Sequence, residues 1–363
     1  MIDIDPADTK KILIQALGRA ATGVGFLFGA GCSCSVTTPD GASLIPAASE
    51  FTTLVFGELQ QSPLSERFIK LRDHCLLPAA GQPSPNVELA LSRIRGLREV
   101  VGANRIFDLD AGDLDSLDDN ICRIVERVVG PDLPSGDTPH ALFARWIKDI
   151  ERPHGVSIFT TNYDLLFEQA LERVRAPFFD GFAGADQPFF DLAALDMDSY
   201  PQGWSCIWKL HGSINWRQRD QGVVRSRLAA AAPLVFPSHL KYAESRRLPY
   251  LAMRDRMRAL LKARCVFITC GYSFSDAHLN DDIAYGLVAN AGSVCYALLY
   301  GALANYPEVT LLARSHPNLN VLASDGGVLR GKEVRWNGTT MPLGDFRHFA
   351  RFLADEVMGE AIP

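Results

Sequence analysis

The sequence predicts an α/β fold, a doubly wound and mostly parallel sheet of the Rossmann-like type. The apolar run 24–28 leads directly into Gly29-Ala30-Gly31, the strand-to-turn unit that opens many nucleotide-binding sheets. Two later apolar runs, 156–160 and 205–210, also end in polar residues. The run 265–270 is continuously apolar, as expected for a parallel strand buried on both faces. Since ligands bind at the carboxyl ends of such strands, these polar ends mark the candidate site.

Composition and charge limit the class of protein. The chain has 363 residues, of which 47% are hydrophobic and 21% charged, as in a globular protein with a sizeable core. This length fits one large domain with insertions, or two domains. The net charge of −6 gives no support for a nucleic-acid-binding surface.

The N-terminus and the cysteines indicate a reduced, cytoplasmic protein. The first eight residues are acidic, unlike a signal peptide, and no apolar run is long enough to span a membrane. None of the eight cysteines forms a C-x-x-C pair, which disfavours a structural zinc ribbon. Cys32 and Cys34, which flank Ser33, are expected to serve packing and not reactivity.

The pattern divides the chain into three parts. Residues 1–44 and 151–330 form the predicted nucleotide-binding domain, 45–150 a helical insertion packed on it, and 331–363 a C-terminal extension with a terminal helix. Within the insertion, Asn86 is a predicted helix N-cap. Residues 217–232 are expected to form a loop, 234–237 a short strand, and Asp325-Gly326-Gly327 a turn.

Three strand ends carry residues suited to chemistry, and each also has a purely structural interpretation. Asn162 and Asp164 fall where a substrate would bind, but in the structural interpretation Asn162 caps the next helix and Asp164 supports its first turn. His211, followed by Gly212, is suited to act as a base, or it is simply hydrogen-bonded at a strand end. The run after 270 passes through Ser273 to Asp276, where Ser275 or Asp276 could be a helix N-cap.

Four motifs in this order resemble sirtuin-type NAD-binding domains. The sirtuin pattern is Gly-Ala-Gly-X-Ser, Thr-Gln-Asn-X-Asp, His-Gly and Gly-X-Ser. The chain has Gly29-Ala30-Gly31-Cys32-Ser33, Thr160-Thr161-Asn162-Tyr163-Asp164, His211-Gly212-Ser213 and Gly271-Tyr272-Ser273. The forms Thr-Thr-Asn-Tyr-Asp and Gly-Tyr-Ser-Phe-Ser-Asp-X-His resemble the sirtuin-like branch that is common in bacterial anti-phage defence. The resemblance spans roughly residues 20–330, to which the insertion contributes only Asn86-Val87-Glu88.

Two departures from the classical pattern disfavour lysine deacylation. Classical sirtuin deacylases have two C-x-x-C pairs for a structural zinc, which this chain lacks. They also carry Gly-Ile-Pro-Asp-Phe-Arg after the glycine loop. The nearest match here, Leu44-Ile45-Pro46 and the residues after it, has no arginine.

The resemblance implies an NAD+ glycohydrolase that releases nicotinamide and ADP-ribose, with NAD+ as substrate and with no other cofactor or metal. Asn162 would position water and the ribose hydroxyls, His211 would be the base, and Asp164 would orient neighbouring donors. Ser273 and Asp276 would contact the ribose or adenine side. The full set implied for NAD+ binding is Gly29, Ala30, Gly31, Ser33, Asp164, Gly212, Gly271, Ser273 and Asp276.

The resemblance also implies a biological setting. Proteins of this branch deplete NAD+ during phage infection and act as oligomers. Many work beside a separate sensor, such as a HerA-like hexameric DNA-translocating ATPase or a short Argonaute. Direct binding to nucleic acid or membrane is not indicated. The alternatives are a sirtuin-type protein deacylase or ADP-ribosyltransferase, and a non-catalytic sensor of NAD+ or ADP-ribose.

Overall fold

A computed structural model of the chain describes residues 2–18, 22–76, 85–150, 152–219, 222–226 and 248–358. The strands are β1 (Ile2–Ile4), β2 (Gly23–Phe28), β3 (Ser157–Thr160), β4 (Phe178–Phe179), β5 (Phe182–Ala183), β6 (Phe189–Phe190), β7 (Ser205–Lys209), β8 (Trp216–Arg219), β9 (Gly222–Arg225), β10 (Cys265–Cys270), β11 (Val294–Leu298), β12 (Leu319–Leu322), β13 (Gly326–Leu329) and β14 (Lys332–Trp336).

Helices connect most of these strands. The α-helices are α1 (Pro6–Leu17), α2 (Ala30–Cys34), α3 (Ala48–Gln61), α4 (Ser65–Leu71), α5 (Val87–Val101), α6 (Ala111–Val129), α7 (Pro139–Asp149), α8 (Leu166–Val174), α9 (Leu192–Asp196), α10 (Tyr250–Lys262), α11 (Ala277–Ala289), α12 (Pro307–Ser315) and α13 (Phe346–Phe352). Short 3₁₀ or π turns occupy Arg72–Leu76, Leu303–Asn305, Pro342–Gly344 and Leu353–Val357.

The main sheet confirms the predicted doubly wound, mostly parallel fold. Its strand order is β1-β14-β13-β12-β11-β10-β2-β3-β7-β4, with parallel pairing from β12 through β10, β2 and β3 to β7 and β4. After β1 at one edge, the chain enters the centre of the sheet with β2, moves outward to β3 and β7 on one side, and then returns to β10 on the other. Phe28 is in register with both Thr160 and Cys270, so the carboxyl ends of these strands align. The switch point of the sheet therefore lies between β2 and β10.

Both faces of the sheet are buried, which explains why its strands are continuously apolar. Phe26 and Phe28 point into one core with α1, α7, α8 and α13. Leu27, from the same strand, points into the opposite core with α10, α11 and α12. Alternate residues of a strand face opposite sides, so two covered faces favour apolar residues on both sides of each strand.

The sheet continues through a C-terminal hairpin that the sequence did not predict. Gly326 and Gly327, predicted to lie in a turn, instead belong to β13, which pairs antiparallel with β12 and β14. A Cβ atom on Gly327 would overlap the carbonyl oxygen of Val321, so these glycines allow a close approach between strands. The hairpin carries the sheet past residue 330, where the sequence predicts a domain boundary, and β1 pairs with its outer strand. The predicted domain boundaries stay predictions.

A second, antiparallel sheet has the order β5-β6-β9-β8. The expected loop over 217–232 is wrong where the structure describes it, because β8 and β9 form a hairpin there. The hairpin buries Trp216 and Val223 in the core on one face of the main sheet, and this packing overrides its polar composition. The rest of that predicted loop, and the predicted strand at 234–237, lie outside the described residues.

Five α-helices, α3 to α7, lie within residues 45–150 in the described part of the chain, as the pattern of this segment predicts. The side chain of Asn86 accepts a hydrogen bond from the Leu89 N–H at 2.8 Å, which confirms the predicted N-cap of α5. None of the described helices is long and apolar enough to cross a bilayer.

Candidate active site

The glycine loop after β2 packs directly on the loop after β10. The N–H of Gly29 donates to the Cys270 carbonyl at 3.1 Å, and the N–H of Gly31 donates to the Gly271 carbonyl at 3.0 Å. A Cβ atom on Gly271 would lie 2.6 Å from the backbone nitrogen of Cys32. Both N–H groups thus donate within the protein, and the glycines bring the two loops together.

Asn162 turns back towards the glycine loop and does not cap a helix. Its amide nitrogen Nδ2 donates to the Gly29 carbonyl at 3.0 Å and to Ser33 Oγ at 2.8 Å. A carbonyl oxygen can only accept, so the nitrogen must be the atom that faces Gly29. The structural interpretation of Asn162 as a cap is wrong, because α8 begins at Leu166 with Leu165 in the N-cap position.

Ser33 and Asp164 complete a buried hydrogen-bond chain with Asn162. Ser33 Oγ donates to Asp164 Oδ2 at 2.5 Å and accepts from the Asn162 amide. The other carboxylate oxygen of Asp164 accepts from the Leu166 N–H at 3.0 Å, so the interpretation that Asp164 supports the first turn of α8 is confirmed. All three site residues are buried. The direction of these hydrogen bonds is thereby fixed: the Asn162 amide donates to Ser33, and Ser33 donates to the Asp164 carboxylate.

Thr160 is a site residue that the sequence reasoning did not single out. Its hydroxyl donates to the Phe28 carbonyl at 3.1 Å and accepts from the Asn162 N–H at 3.0 Å. This arrangement fastens the start of the Asn162 loop to the end of β2. A hydroxyl residue at the last position of a buried strand was a visible signal for such a role.

Lys209, the last residue of β7, is a second missed residue. Its ammonium group contacts the Asp164 carbonyl and lies 3.1 Å from Glu168 Oε1, and the side chain is only 3% exposed. Burial raises the pKa of Glu168, while the nearby lysine acts in the opposite direction. The sequence contains a signal for this residue, a single charged side chain within the apolar segment 207–210, because lysine is seldom buried without a partner.

His211 follows β7 and makes contact with the loop after β10. Gly212, with φ of +93°, allows the tight turn that projects the histidine. His211 Nε2 lies 3.2 Å from Asp276 Oδ2. The imidazole is 18% exposed, so one side of the ring remains open to solvent.

Asp276 is the N-cap of α11, as the structural interpretation of this loop expected. Its Oδ1 atom accepts from the N–H groups of His278 and Leu279 at 3.0 and 3.3 Å. Its contact with His211 through the other oxygen was not predicted, because the two residues are 65 positions apart.

The remaining predicted residues lie around this network. Ala30, Gly31 and Ser273 are exposed, whereas Gly29 and Gly212 are buried. Ser273 Oγ lies 2.9 Å from Ser275 Oγ, and no hydrogen bond within the described residues joins it to Asn162 or His211. The described residues contain no cluster of three or more His, Cys, Asp or Glu side chains suited to a metal ion.

The two cysteines of the glycine loop have the character of packing residues. Cys32 is fully buried and Cys34 partly buried. Burial raises the pKa of both thiols, that of Cys34 to about 11. A protonated thiol is a poor nucleophile, so neither residue is set up for reactivity.

The family model of the SIR2-like domain matches residues 156–316. This range contains Asn162, Asp164, His211, Gly271 and Asp276, whereas the glycine loop precedes it. No curated protein matches the chain in sequence.

The chain is also similar to solved Sir2 structures. One is Sir2Tm bound to a propionylated peptide, with 13% identity, 95% of this chain and 97% of that chain covered, and a TM-score of 0.41. Another is a Sir2 homolog–NAD complex, with 13% identity, coverage of 97% and 94%, and a TM-score of 0.43. These scores are below 0.5, so the fold assignment rests on the strand order and pairing described above. The family match shows that residues 156–316 are similar to a SIR2-like, that is sirtuin-like, domain.

Proposed function

We propose that this protein is an NAD+ glycohydrolase that cleaves the bond between nicotinamide and ribose. The observation that carries the proposal is the position of Asn162 and His211, which follow β3 and β7 at the carboxyl edge of the parallel sheet. The glycine loop lies at the same edge, beside the switch point where open α/β sheets bind nucleotides. Ala30 and Gly31 of this loop are exposed, which supports contact with the diphosphate.

The reaction needs few groups, because NAD+ already carries a cationic leaving group. The bond between ribose C1′ and the pyridinium nitrogen breaks, and its electron pair leaves with neutral nicotinamide. The resulting centre resembles an oxocarbenium ion, and the oxygen of water forms the new bond to C1′. The water gives up one proton, which His211 would accept as general base.

The hydrogen bonds of Asn162 suit the role that the proposal gives it. Both amide hydrogens have acceptors inside the protein, which leaves Oδ1 as the atom available to substrate. Water and ribose hydroxyls are donors, and an oxygen acceptor held rigidly would orient them. Asp164 and Ser33 would act by fixing that orientation.

Lysine deacylation is the main competing activity for a SIR2-like domain. The chain lacks the C-x-x-C pairs and the Gly-Ile-Pro-Asp-Phe-Arg segment of classical deacylases. These differences support hydrolysis as the reaction, in which water, and not the acyl group of a lysine, is the nucleophile at ribose C1′.

The test is to incubate the full-length protein with NAD+ and to quantify nicotinamide and ADP-ribose by HPLC. Asn162→Ala and His211→Ala are expected to lose at least about 100-fold in turnover, as general-base and positioning groups contribute. Asn104→Ala and His154→Ala, two exposed positions outside the site, are the matched controls and should keep wild-type turnover. Site variants that retain turnover would remove the site assignment.

The same assay separates the alternatives. NAD+ consumed only with an acylated lysine peptide, giving O-acyl-ADP-ribose, would establish a deacylase. ADP-ribose attached to protein would establish a transferase. Binding of NAD+ without any turnover, with and without candidate partners, would leave a sensor.

The place of this activity in the cell is proposed on the motif resemblance alone. A role in anti-phage defence predicts that cellular NAD+ falls after infection in cells with the wild-type protein and holds steady in cells with Asn162→Ala. Co-purification with a HerA-like ATPase or a short Argonaute, and the mass of the complex by light scattering, would test the predicted partner and oligomer.

A further inference from the structure

The contact between His211 and Asp276 joins two loops that start far apart on the sheet. β2 and β3 separate β7 from β10. Three strand spacings of about 4.8 Å place the ends of β7 and β10 about 14 Å apart. The loops after these strands must therefore extend over the ends of β2 and β3 to bring the two side chains within 3.2 Å. The pair spans the edge of the sheet where the proposed site lies.

Asp276 is held firmly at this position. Its Oδ1 atom is committed to the two backbone N–H groups at the start of α11, a helix of 13 residues. Tyr272, a buried residue of the same loop, places its hydroxyl 3.2 Å from the Asp276 carbonyl. Asn280 donates to the Phe274 carbonyl at 2.7 Å, and Phe274 is held at φ of +58°. These contacts leave the second carboxylate oxygen pointing at His211.

From this geometry we propose that Asp276 is a positioning residue that fixes the tautomer of His211. The inference rests on the proposed hydrolase function, and it gives Asp276 a role other than contact with ribose or adenine. An ionised carboxylate only accepts hydrogen bonds, so Nε2 of His211 must carry the proton that faces Asp276. The neutral imidazole then has its lone pair on Nδ1, and Nδ1 is the atom that accepts the proton from water.

The carboxylate is suited to hold this tautomer because its negative charge is stabilised independently of His211. Two backbone N–H bonds and the positive end of the α11 dipole favour the ionised form. The ionised form also stabilises the imidazolium that arises when Nδ1 takes up the proton. One side chain thus orients the base and supports its charged state.

The variant that tests the proposal is Asp276→Asn. Asparagine is an equally good N-cap, so its side-chain oxygen can keep the bonds to the His278 and Leu279 N–H groups. Its NH₂ group then faces Nε2 and donates to it, which moves the imidazole proton to Nδ1 and leaves no base there. The same reversal disables serine-protease triads when their aspartate becomes asparagine.

We expect kcat for NAD+ cleavage to fall at least about tenfold in Asp276→Asn, with KM changed by less than about threefold. Asp191→Asn is the matched control, because Asp191 caps α9 through the Ala194 N–H, and this variant should keep wild-type kcat. Urea unfolding of both variants checks that they are folded. A kcat for Asp276→Asn above half the wild-type value would overturn the proposal.

The tautomer is read directly by ¹⁵N NMR on protein labelled at histidine, and His211→Gln identifies the signals of His211. In the wild-type protein at a pH where the ring is neutral, we expect a protonated Nε2 and an unprotonated Nδ1. Asp276→Asn should exchange the two, and Asp191→Asn should not. A wild-type His211 protonated on Nδ1 would refute the tautomer. This readout needs no turnover, so an inactive wild-type protein would count against the hydrolase function and leave the role of Asp276 to be decided by the spectra.

Discussion

Within the described residues, Asn162 and His211 each have one polar side-chain atom without a hydrogen-bond partner. The amide hydrogens of Asn162 go to Gly29 and Ser33, which leaves Oδ1, and Nε2 of His211 faces Asp276, which leaves Nδ1. Both remaining atoms are hydrogen-bond acceptors in the proposed tautomer. Since water and ribose hydroxyls are donors, these two acceptor atoms can bind the groups that the site is proposed to hold.

His140 is a buried histidine of a different kind, and it makes stability depend on pH. It lies on α7 against the rings of Phe167 and Phe346, and neither ring nitrogen has a hydrogen-bond partner within the described residues. Burial lowers the pKa of His140 from 6.5 to about 4, although the Asp164 carboxylate acts in the opposite direction. The stabilising neutral form is thus complete above pH 6.5, and stability is lost as the pH falls towards 4.

We predict that His140→Leu reduces the loss of stability at acid pH. The unfolded chain binds a proton at His140 near pH 6.5 and the folded chain does not. The free energy of unfolding of the wild-type protein should therefore fall by on the order of 2 kcal/mol as the pH drops two units below 6.5. Urea unfolding at pH 7.5 and pH 4.5 should show a smaller drop for His140→Leu by about that amount. His154→Gln, at an exposed position, should retain the wild-type drop. An equal drop in all three proteins would mean that another group causes the loss of stability at acid pH.

The sequence identified the site residues by type but not by partner. Asn162, Asp164, His211 and Asp276 were all found as polar residues at predicted strand ends, because strand composition and motif order are local properties. The partner of His211 lies 65 positions later and is set by the strand order, which no local pattern contains. For the same reason the sequence does not show that the Gly29 and Gly31 N–H groups donate to the loop after β10, because that loop follows a distant strand.

At the scale of elements, the turn after β2 and the turn after β10 behave as one unit. Gly31 and Gly271 pack backbone against backbone, and a Cβ on Gly31 would lie 2.8 Å from the Gly271 Cα. Gly271 has φ of +63°, a conformation that costs other residues about 1–2 kcal/mol. Asn162 is bonded to this unit through Gly29, so the packing of the two turns helps to position the proposed catalytic amide.

We predict that Gly271→Ala damages both stability and the site. The new methyl group would press on the Cys32 backbone, in addition to the cost of the positive φ. The free energy of unfolding should fall by about 3 kcal/mol or more, the sum of the strain and an overpacked contact. NAD+ affinity, measured by calorimetry on the folded variant, should fall with it.

Gly203→Ala separates the two costs. Gly203 has φ of +85°, but apart from its chain neighbours no atom of the described residues lies within 4 Å of the position of its Cβ. This variant should lose only the conformational part, about 1–2 kcal/mol, and should bind NAD+ as the wild type does. Equal losses in the two variants would show that the turns do not depend on close packing.

The elements that the sequence missed have a common physical cause. β13 contains two glycines, and the β8–β9 hairpin carries polar side chains, so both resemble loops in composition. Their pairing is set by contact with Val321 in one case and by the burial of Trp216 in the other. Such strands form because a partner is already in place, and the partner is not visible in the local pattern.

At the scale of the whole molecule, the helices between β2 and β3 contact the loop that carries Asn162 and the strand that follows the His211 loop. Tyr163, next to Asn162, donates its hydroxyl hydrogen to Glu88 of α5 at 2.7 Å. Arg217, just after the His211 loop, pairs with Glu126 of α6 and is nearly buried. The carboxylate of Glu88 also raises the pKa of Tyr163, in addition to the larger effect of burial. The predicted insertion is therefore bonded to the loop that carries Asn162 and to β8, the strand that follows the His211 loop.

We predict that Tyr163 and Glu88 are energetically coupled and that their bond matters for turnover. In a double-mutant cycle of Tyr163→Phe and Glu88→Ala, urea unfolding should give a coupling energy of about 1.5–3 kcal/mol, as for hydrogen bonds to charged groups. Each single variant should also lower kcat for NAD+, because the loop that carries Asn162 loses an anchor. The control cycle uses Arg98 and Asp115, an exposed pair between α5 and α6 that does not touch the site. Its coupling should stay below about 1 kcal/mol, with turnover unchanged. If the first cycle is no larger than the control, or its variants keep full kcat, then these helices do not support the Asn162 loop through Tyr163.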